Sequence, residues 1–127
     1  MDKIYISCDE AFTHGADFHT DDVACGAFLS MLNPYIKITR GFEVPQNFEG
    51  IVFDIGGGEF DHHDEDREMR ENGVYFASFG KLWRKYSHMI VSDYVSKAID
   101  EEFICPIDNS DNTGERDTLC SVISNMN

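Results

Sequence analysis

Thr13-His14-Gly15-Ala16-Asp17-Phe18-His19-Thr20-Asp21-Asp22 sets two imidazoles and two adjacent carboxylates close together, and Asp54-Ile55-Gly56-Gly57-Gly58-Glu59-Phe60-Asp61-His62-His63 sets a second such run further along the chain. Oxygen and imidazole donors are the ligands that divalent cations take. Ordinary surface does not account for two runs this dense. Brought together in space, they read as one metal centre.

The elements that must position these residues are visible around them. After the first run, apolar residues at 23, 24, 27, 28, 31 and 32 repeat with helical period, so a helix is expected to start near Thr20, which can cap it. Helix N-termini favour anions, and capping alone accounts for Asp21 and Asp22. It does not account for His14 and His19. The second run follows Gly50-Ile51-Val52-Phe53-Asp54-Ile55, which reads as a short buried strand with Asp54 near its carboxyl end, where open α/β sheets place ligands. No Lys or Arg follows Asp54 before Arg67, and a buried, unpaired carboxylate costs several kcal/mol. A divalent cation removes that penalty, and two carboxylate oxygens can bridge two cations. Gly56-Gly57-Gly58 lets the backbone turn sharply before Asp61-His62-His63. An isolated Asp-His-His is more often a polar loop; its conjunction with His14, His19 and Asp54 reverses that reading.

The order His-x4-His-x-Asp, strand-Asp-Ile-Gly-Gly, Asp-His-His and then Ile107-Asp108-Asn109-Ser110-Asp111-Asn112 resembles the DHH phosphoesterase superfamily. Within it, Ala11-Phe12-Thr13-His14-Gly15, Phe18-His19-Thr20-Asp21-Asp22-Val23, Phe60-Asp61-His62-His63 and the stretch Arg70-Glu71-Asn72-Gly73-Val74-Tyr75-Phe76-Ala77-Ser78-Phe79-Gly80 look like the melanocyte-proliferating-gene branch, also labelled a metal-dependent protein hydrolase. The resemblance implies two divalent ions, manganese first, at the carboxyl edge of a parallel sheet. His14 and His19 would hold one ion, Asp21 and His62 the other, with Asp54 bridging. Asp108 would complete the second set, with Asp111 as the alternative. His19 stands where the wider superfamily has an aspartate, which softens the site toward Mn, Zn, Co or Fe over Mg. Asp64 stands where the branch has glutamine and adds negative charge near any phosphate.

The implied chemistry is hydrolysis of a phosphoester by two metals, which lower the pKa of a water and stabilise an in-line displacement. His63 would hydrogen-bond a phosphate oxygen or the leaving group. Asp61 would orient the imidazole pair, and Asp22 would hold His14 or His19 in the right tautomer. Among the cations, Arg70 is the choice for a phosphate contact because it lies in a phrase shared with the branch. The leading expectation is a phosphodiesterase or 3′-to-5′ exonuclease on short single-stranded RNA or small nucleotides. A pyrophosphatase-like phosphoanhydride hydrolase and a non-catalytic metal-binding regulatory module are the alternatives.

A formal charge of −14 excludes a broad phosphate-binding surface, so long duplexes are not expected as partners and a small phosphoester or short oligonucleotide is. With 127 residues and 42% hydrophobic content, one domain with a real core is expected. There is no apolar run of about 18 residues and no signal peptide, so neither a membrane span nor secretion is expected. Cys8, Cys25, Cys105 and Cys120 form no Cys-x-x-Cys pair and read as reduced core thiols of a cytoplasmic protein.

Strands are expected over Lys3 to Cys8, Asp9 to Thr13 and Lys37 to Arg40, and helices over about 75–87 and 91–102. Phe76, Phe79, Leu82, Trp83 and Tyr86 fall on one face of the first of these helices, and Val91, Val95 and Ile99 face inward from the second. Strands alternating with helices make the fold class α/β, a three-layer sandwich with a mostly parallel sheet and its metal site at the carboxyl ends of the strands. Residues 1–127 are one domain of this kind. Branch members run to roughly twice a single domain's length, so their usual second, substrate-closing domain is expected to be absent or truncated here. A homo-oligomer or a partner chain would then supply it.

Overall fold

Glu10–His14 forms the central strand β1 of a parallel sheet, with β2 (Lys37–Gly41) on one side and β3 (Ile51–Val52) on the other. The computed structural model describes residues 3–61, 67–114 and 118–127. In register, His14 lies beside Gly41 and Thr13 beside Arg40, while Phe12 lies beside Val52. All three strands therefore end at the same edge. β1 and β2 are joined by α1 (Thr20–Leu32), the crossover that parallel pairing requires. The strands expected at Lys37 to Arg40, before His14, and before Asp54 are all present.

The helices flank the sheet, giving the α/β architecture with an all-parallel open sheet that the sequence predicts. α1 buries Cys25, Phe28, Leu29 and Leu32. α2 (Ser78–Tyr86) returns Phe79, Leu82 and Trp83 against it, with the Phe28 and Trp83 ring centroids 5.1 Å apart. Tilted aromatic pairs of this kind contribute about 0.5–1.5 kcal/mol beyond the area they bury. α3 (Asp93–Ile99) continues through a wide turn at Asp100–Ile104 into α4 (Cys105–Thr113), and α5 (Thr118–Ser124) follows. Phe53, Ile104 and Ile107 complete the centre of the core. None of the described helices is long and apolar enough to cross a membrane.

Three local expectations are corrected. Lys3 to Cys8 is not a strand: the N–H groups of Tyr5 and Ile6 donate to the Leu32 carbonyl, and Asn33 Nδ2 donates to the Ile6 and Cys8 carbonyls. The segment satisfies its backbone on the end of α1 instead of on a neighbouring strand. Val95 does not face inward, because α3 docks through its polar side: Trp83 Nε1 donates to the Ser96 carbonyl, and the Ser96 and Ser87 hydroxyls meet at 2.6 Å. Val95 is left exposed. The residue flanking the start of α1 is His19, not Thr20, and Asp22 from the first turn accepts from the His19 N–H at 2.9 Å. That contact is half of a capping box.

Candidate metal centre

β1 delivers His14 to the carboxyl edge of the sheet, and the turn after β3 delivers Asp54 to the same place. Phe53 bridges to Phe60, and Asp54 N–H donates to the Phe60 carbonyl at 3.0 Å, closing a tight loop over Gly56 and Gly57. Asp54 itself is held at φ +59°. A non-glycine residue there stores on the order of 1–3 kcal/mol of strain, which persists only where the surroundings fix it. In that conformation Asp54 Oδ2 lies 3.0 Å from His14 Nε2. The first turn of α1 brings Asp22 Oδ2 to 3.0 Å from the same nitrogen. One ligand atom from each of His14, Asp22 and Asp54 lies within 4.8 Å of the others, with both carboxylates buried.

Two buried carboxylates converging on one imidazole nitrogen leave an excess of negative charge that one ring proton cannot balance. Arg40 offsets part of it, with Nη2 at 3.1 Å from Asp22 Oδ2. Asp21, the next residue, deepens the excess. Its Oδ1 accepts from the Phe79 N–H at 2.9 Å, while its Oδ2 is buried with no hydrogen-bond partner among the described residues. Burial pushes the Asp21 carboxyl well above its ordinary pKa, the carboxylates of Asp111, Asp54 and Asp108 push it the same way, and the Phe79 N–H opposes them. An orphaned carboxylate oxygen among three further carboxylates, beside a His-Asp-Asp cluster, fits a hard divalent cation. The donor set and the orphaned oxygen thus match a metal, and apolar packing accounts for neither.

Cys25 lies behind this group. Burial pushes its thiol pKa well up, as do Asp21, Asp54, Asp108 and Asp22, so it stays protonated and unreactive. The four cysteines are free, and three of them are buried.

The remaining sequence-predicted site residues are placed as follows. His19 is exposed, its ring centroid 5.8 Å from that of His14. With Asp21, Ser110, Asp111 and Cys120 it lines a cleft of about 190 Å³. Asp108, on α4, lies outside the His14-Asp22-Asp54 group. Its Oδ2 is 2.6 Å from Arg70 Nη2, and its Oδ1 accepts from the Gly80 N–H. Burial raises its pKa to about 6 against the pull of Arg70. Arg70 turns inward: it pairs with both Asp100 oxygens as well as with Asp108, and only 7% of its side chain is exposed. Asp61 is buried; its Oδ2 accepts from the Gly57 N–H at 2.7 Å, and its carbonyl accepts from Lys81 Nζ at 2.5 Å. His62 and His63, expected as a ligand and as the phosphate-facing imidazole, lie outside the described residues, as does Asp64.

The sequence resemblance gives Asp21 the ligand role and Asp22 the orienting one, whereas the geometry groups Asp22 with His14 and Asp54. The period of α1 cannot separate adjacent residues that are both buried. Arg40 and Lys81 escape the sequence pattern. For Arg40 a signal exists, since it closes the predicted strand Lys37 to Arg40 and therefore stands at the edge where ligands gather.

In comparison with known proteins, the family model MYG1_exonuc, described as "Uncharacterised protein family (UPF0160)", matches residues 10–121. Neither a curated protein nor a solved structure matches the chain.

Proposed function

This chain belongs to the MYG1_exonuc family, whose name points to an exonuclease, and we propose from that premise that it is a DHH-type, metal-dependent phosphodiesterase acting on short single-stranded RNA or small nucleotides. The observation that supports this most is the convergence of His14 Nε2, Asp22 Oδ2 and Asp54 Oδ2, with the orphaned Asp21 Oδ2 beside them. His14, Asp22 and Asp54 would hold one divalent ion, manganese first. Asp21, with His19, His62 and either Asp111 or Asp108, would hold a second. Bound divalent ions supply a water of lowered pKa and neutralise charge on the phosphoryl oxygens.

The protein's own groups do the rest. Asp22 spends one oxygen on the His19 backbone and keeps the other for the site, so the start of α1 and the ligand set are fixed together. Lys81 and the Gly57 N–H hold Asp61 from two sides, through its carbonyl and its carboxylate. His63 keeps the role the sequence resemblance implies for it, a hydrogen bond to the scissile phosphate. A chain of net charge −14 has little to offer a long polyanion, so the substrate is short and is gripped at the site itself.

Purified, manganese-loaded protein assayed against bis-p-nitrophenyl phosphate, a short oligoribonucleotide and pyrophosphate tests the reading. Turnover of the first two is expected. Hydrolysis of pyrophosphate alone selects a phosphoanhydride hydrolase instead. Tight metal binding with no turnover of any of the three selects a regulatory metal-binding module.

A further inference from the structure

Resting on that metal-centre reading, we propose that Phe18, Arg40 and Phe42 form a nucleotide-recognition patch at the rim of the site, Arg40 gripping the phosphate and Phe42 stacking on the base. Phe18 stands on the loop between His14 and α1, and Arg40 and Phe42 stand at the carboxyl end of β2, the strand paired with the one that carries His14. Arg40 lies in β2 beside Thr13 of β1, one residue short of the pair formed by Gly41 and His14. Phe42 follows directly, and its Cε2 lies 3.3 Å from where a side chain at Gly15, the neighbour of His14, would begin. Phe18 precedes the ligand-bearing turn of α1.

The chemistry of the patch is specific. The Arg40 guanidinium sits over the Phe18 ring at 4.2 Å from its centroid, and its Nη2 donates to Asp22 Oδ2 and to the Ala16 carbonyl. Its hydrogen bonds among the described residues all run through Nη2, so Nε and Nη1, on opposite edges of the guanidinium, each offer a single donor. An arginine fork suits a phosphate bidentately through Nη2 together with Nε or Nη1, and stacking on an aromatic face holds the guanidinium in place. Arg70, in contrast, is committed to Asp100 and Asp108 in the interior. A divalent ion that neutralises Asp22 would release Arg40 Nη2 and complete the fork for a substrate phosphate.

The two aromatics indicate what lies beyond the phosphate. Phe42 is 82% exposed and Phe18 50% exposed. Single exposed apolar residues are ordinary. Two phenylalanines flanking an arginine that reaches a candidate metal ligand are a different arrangement, and its pairing of cation with aromatic faces is how single-stranded nucleic acids are held without sequence preference.

The experiment is calorimetric titration of the manganese-loaded protein with adenosine 5′-monophosphate, ribose 5-phosphate and inorganic phosphate, with manganese content measured on each preparation. The wild type is expected to prefer the nucleotide over ribose 5-phosphate by about tenfold, within the range of one base–aromatic stack. Phe42→Ala should abolish that preference and leave ribose 5-phosphate binding unchanged. Arg40→Ala should weaken all three ligands about tenfold, and Arg40→Lys should recover only part of the loss, since a charge without the fork remains. Equal affinity of the wild type for nucleotide and sugar phosphate, or a preference that survives Phe42→Ala, overturns the patch while manganese content still reports the metal centre. A wild type that holds no manganese overturns the metal reading. The nucleotide preference is then measured in metal-free buffer, where its presence upholds the patch and its absence overturns it.

Discussion

At the residue scale, Asp54 carries the most conflict and hence the most information. It is a buried carboxylate in a left-handed backbone conformation, so both its charge and its φ of +59° oppose folding in the absence of a ligand. Asp54→Gly should therefore raise the melting temperature of metal-free protein, because glycine takes that conformation without strain and removes the buried charge, while manganese affinity collapses. A lowered melting temperature would show that Asp54 is there for stability. Asp108 gives a pH prediction. Its carboxyl protonates near pH 6 in the folded chain and near 3.8 as a free group. Between those values the folded state binds more protons than the unfolded state, so stability falls as pH rises, by about 3 kcal/mol for a shift of this size. Urea denaturation of metal-free protein at pH 4 and pH 7 should show a larger loss in the wild type than in Asp108→Asn, where the raised Asp21 carboxyl still contributes; equal losses in the two would contradict it. Of the three grouped residues, His14 and Asp54 are legible in the sequence as candidate ligands, because neither capping nor surface polarity calls for imidazoles and carboxylates at such close spacing, whereas Asp22 is legible only as an orienting residue. The direction of Arg70 is not legible. An arginine's partners lie across the fold, here on the helical run after α3, and local pattern carries no record of them.

At the scale of elements, the join between α2, α4 and the segment before α2 holds the back of the site. Arg70 anchors it by pairing with Asp108 on α4 and with Asp100 in the wide turn before α4. Gly80 makes the close approach feasible: a side chain there would collide with the Asp108 carboxylate and stand 2.7 Å from Arg70 Nη2. Gly80→Ala is accordingly expected to destabilise by about 1–3 kcal/mol through overpacking. Arg70→Met strands a buried carboxylate and should cost more, about 3–5 kcal/mol. Denaturant titrations check both, and a loss below about 1 kcal/mol for Arg70→Met would mean that Asp108 does not depend on it. An element whose faces differ in polarity, such as α2, can be read from period alone. Lys3 to Cys8 and α3 cannot, since a segment bonded to a helix end shows the alternation of a strand, and a helix docked through Ser96 hides its inward face among polar residues.

At the scale of the whole molecule, the parallel sheet lets three strand ends meet at one edge, so residues far apart in the sequence share a pocket within a shell of strongly acidic surface. A net charge of −14 disfavours a long polyanion on the molecule as a whole, while Arg40 offsets part of the negative charge at the site. Counterion release then involves few phosphates, and the salt dependence of oligonucleotide binding should be shallow, unlike that of a protein making 6–10 phosphate contacts, which loses about 10³–10⁵ in affinity between 50 and 200 mM salt. A steep salt slope would point to a basic surface beyond the site. The central claim, that His14, Asp22 and Asp54 converge in order to hold a cation, is tested most directly by equilibrium dialysis of the wild type and Asp54→Asn against manganese, with bound metal counted by mass spectrometry. Saturable binding by the wild type, weakened in Asp54→Asn by more than the roughly 10–100-fold typical of losing an outer partner, is the predicted result. Absence of saturable binding by the wild type, or full retention of metal by Asp54→Asn, would contradict it.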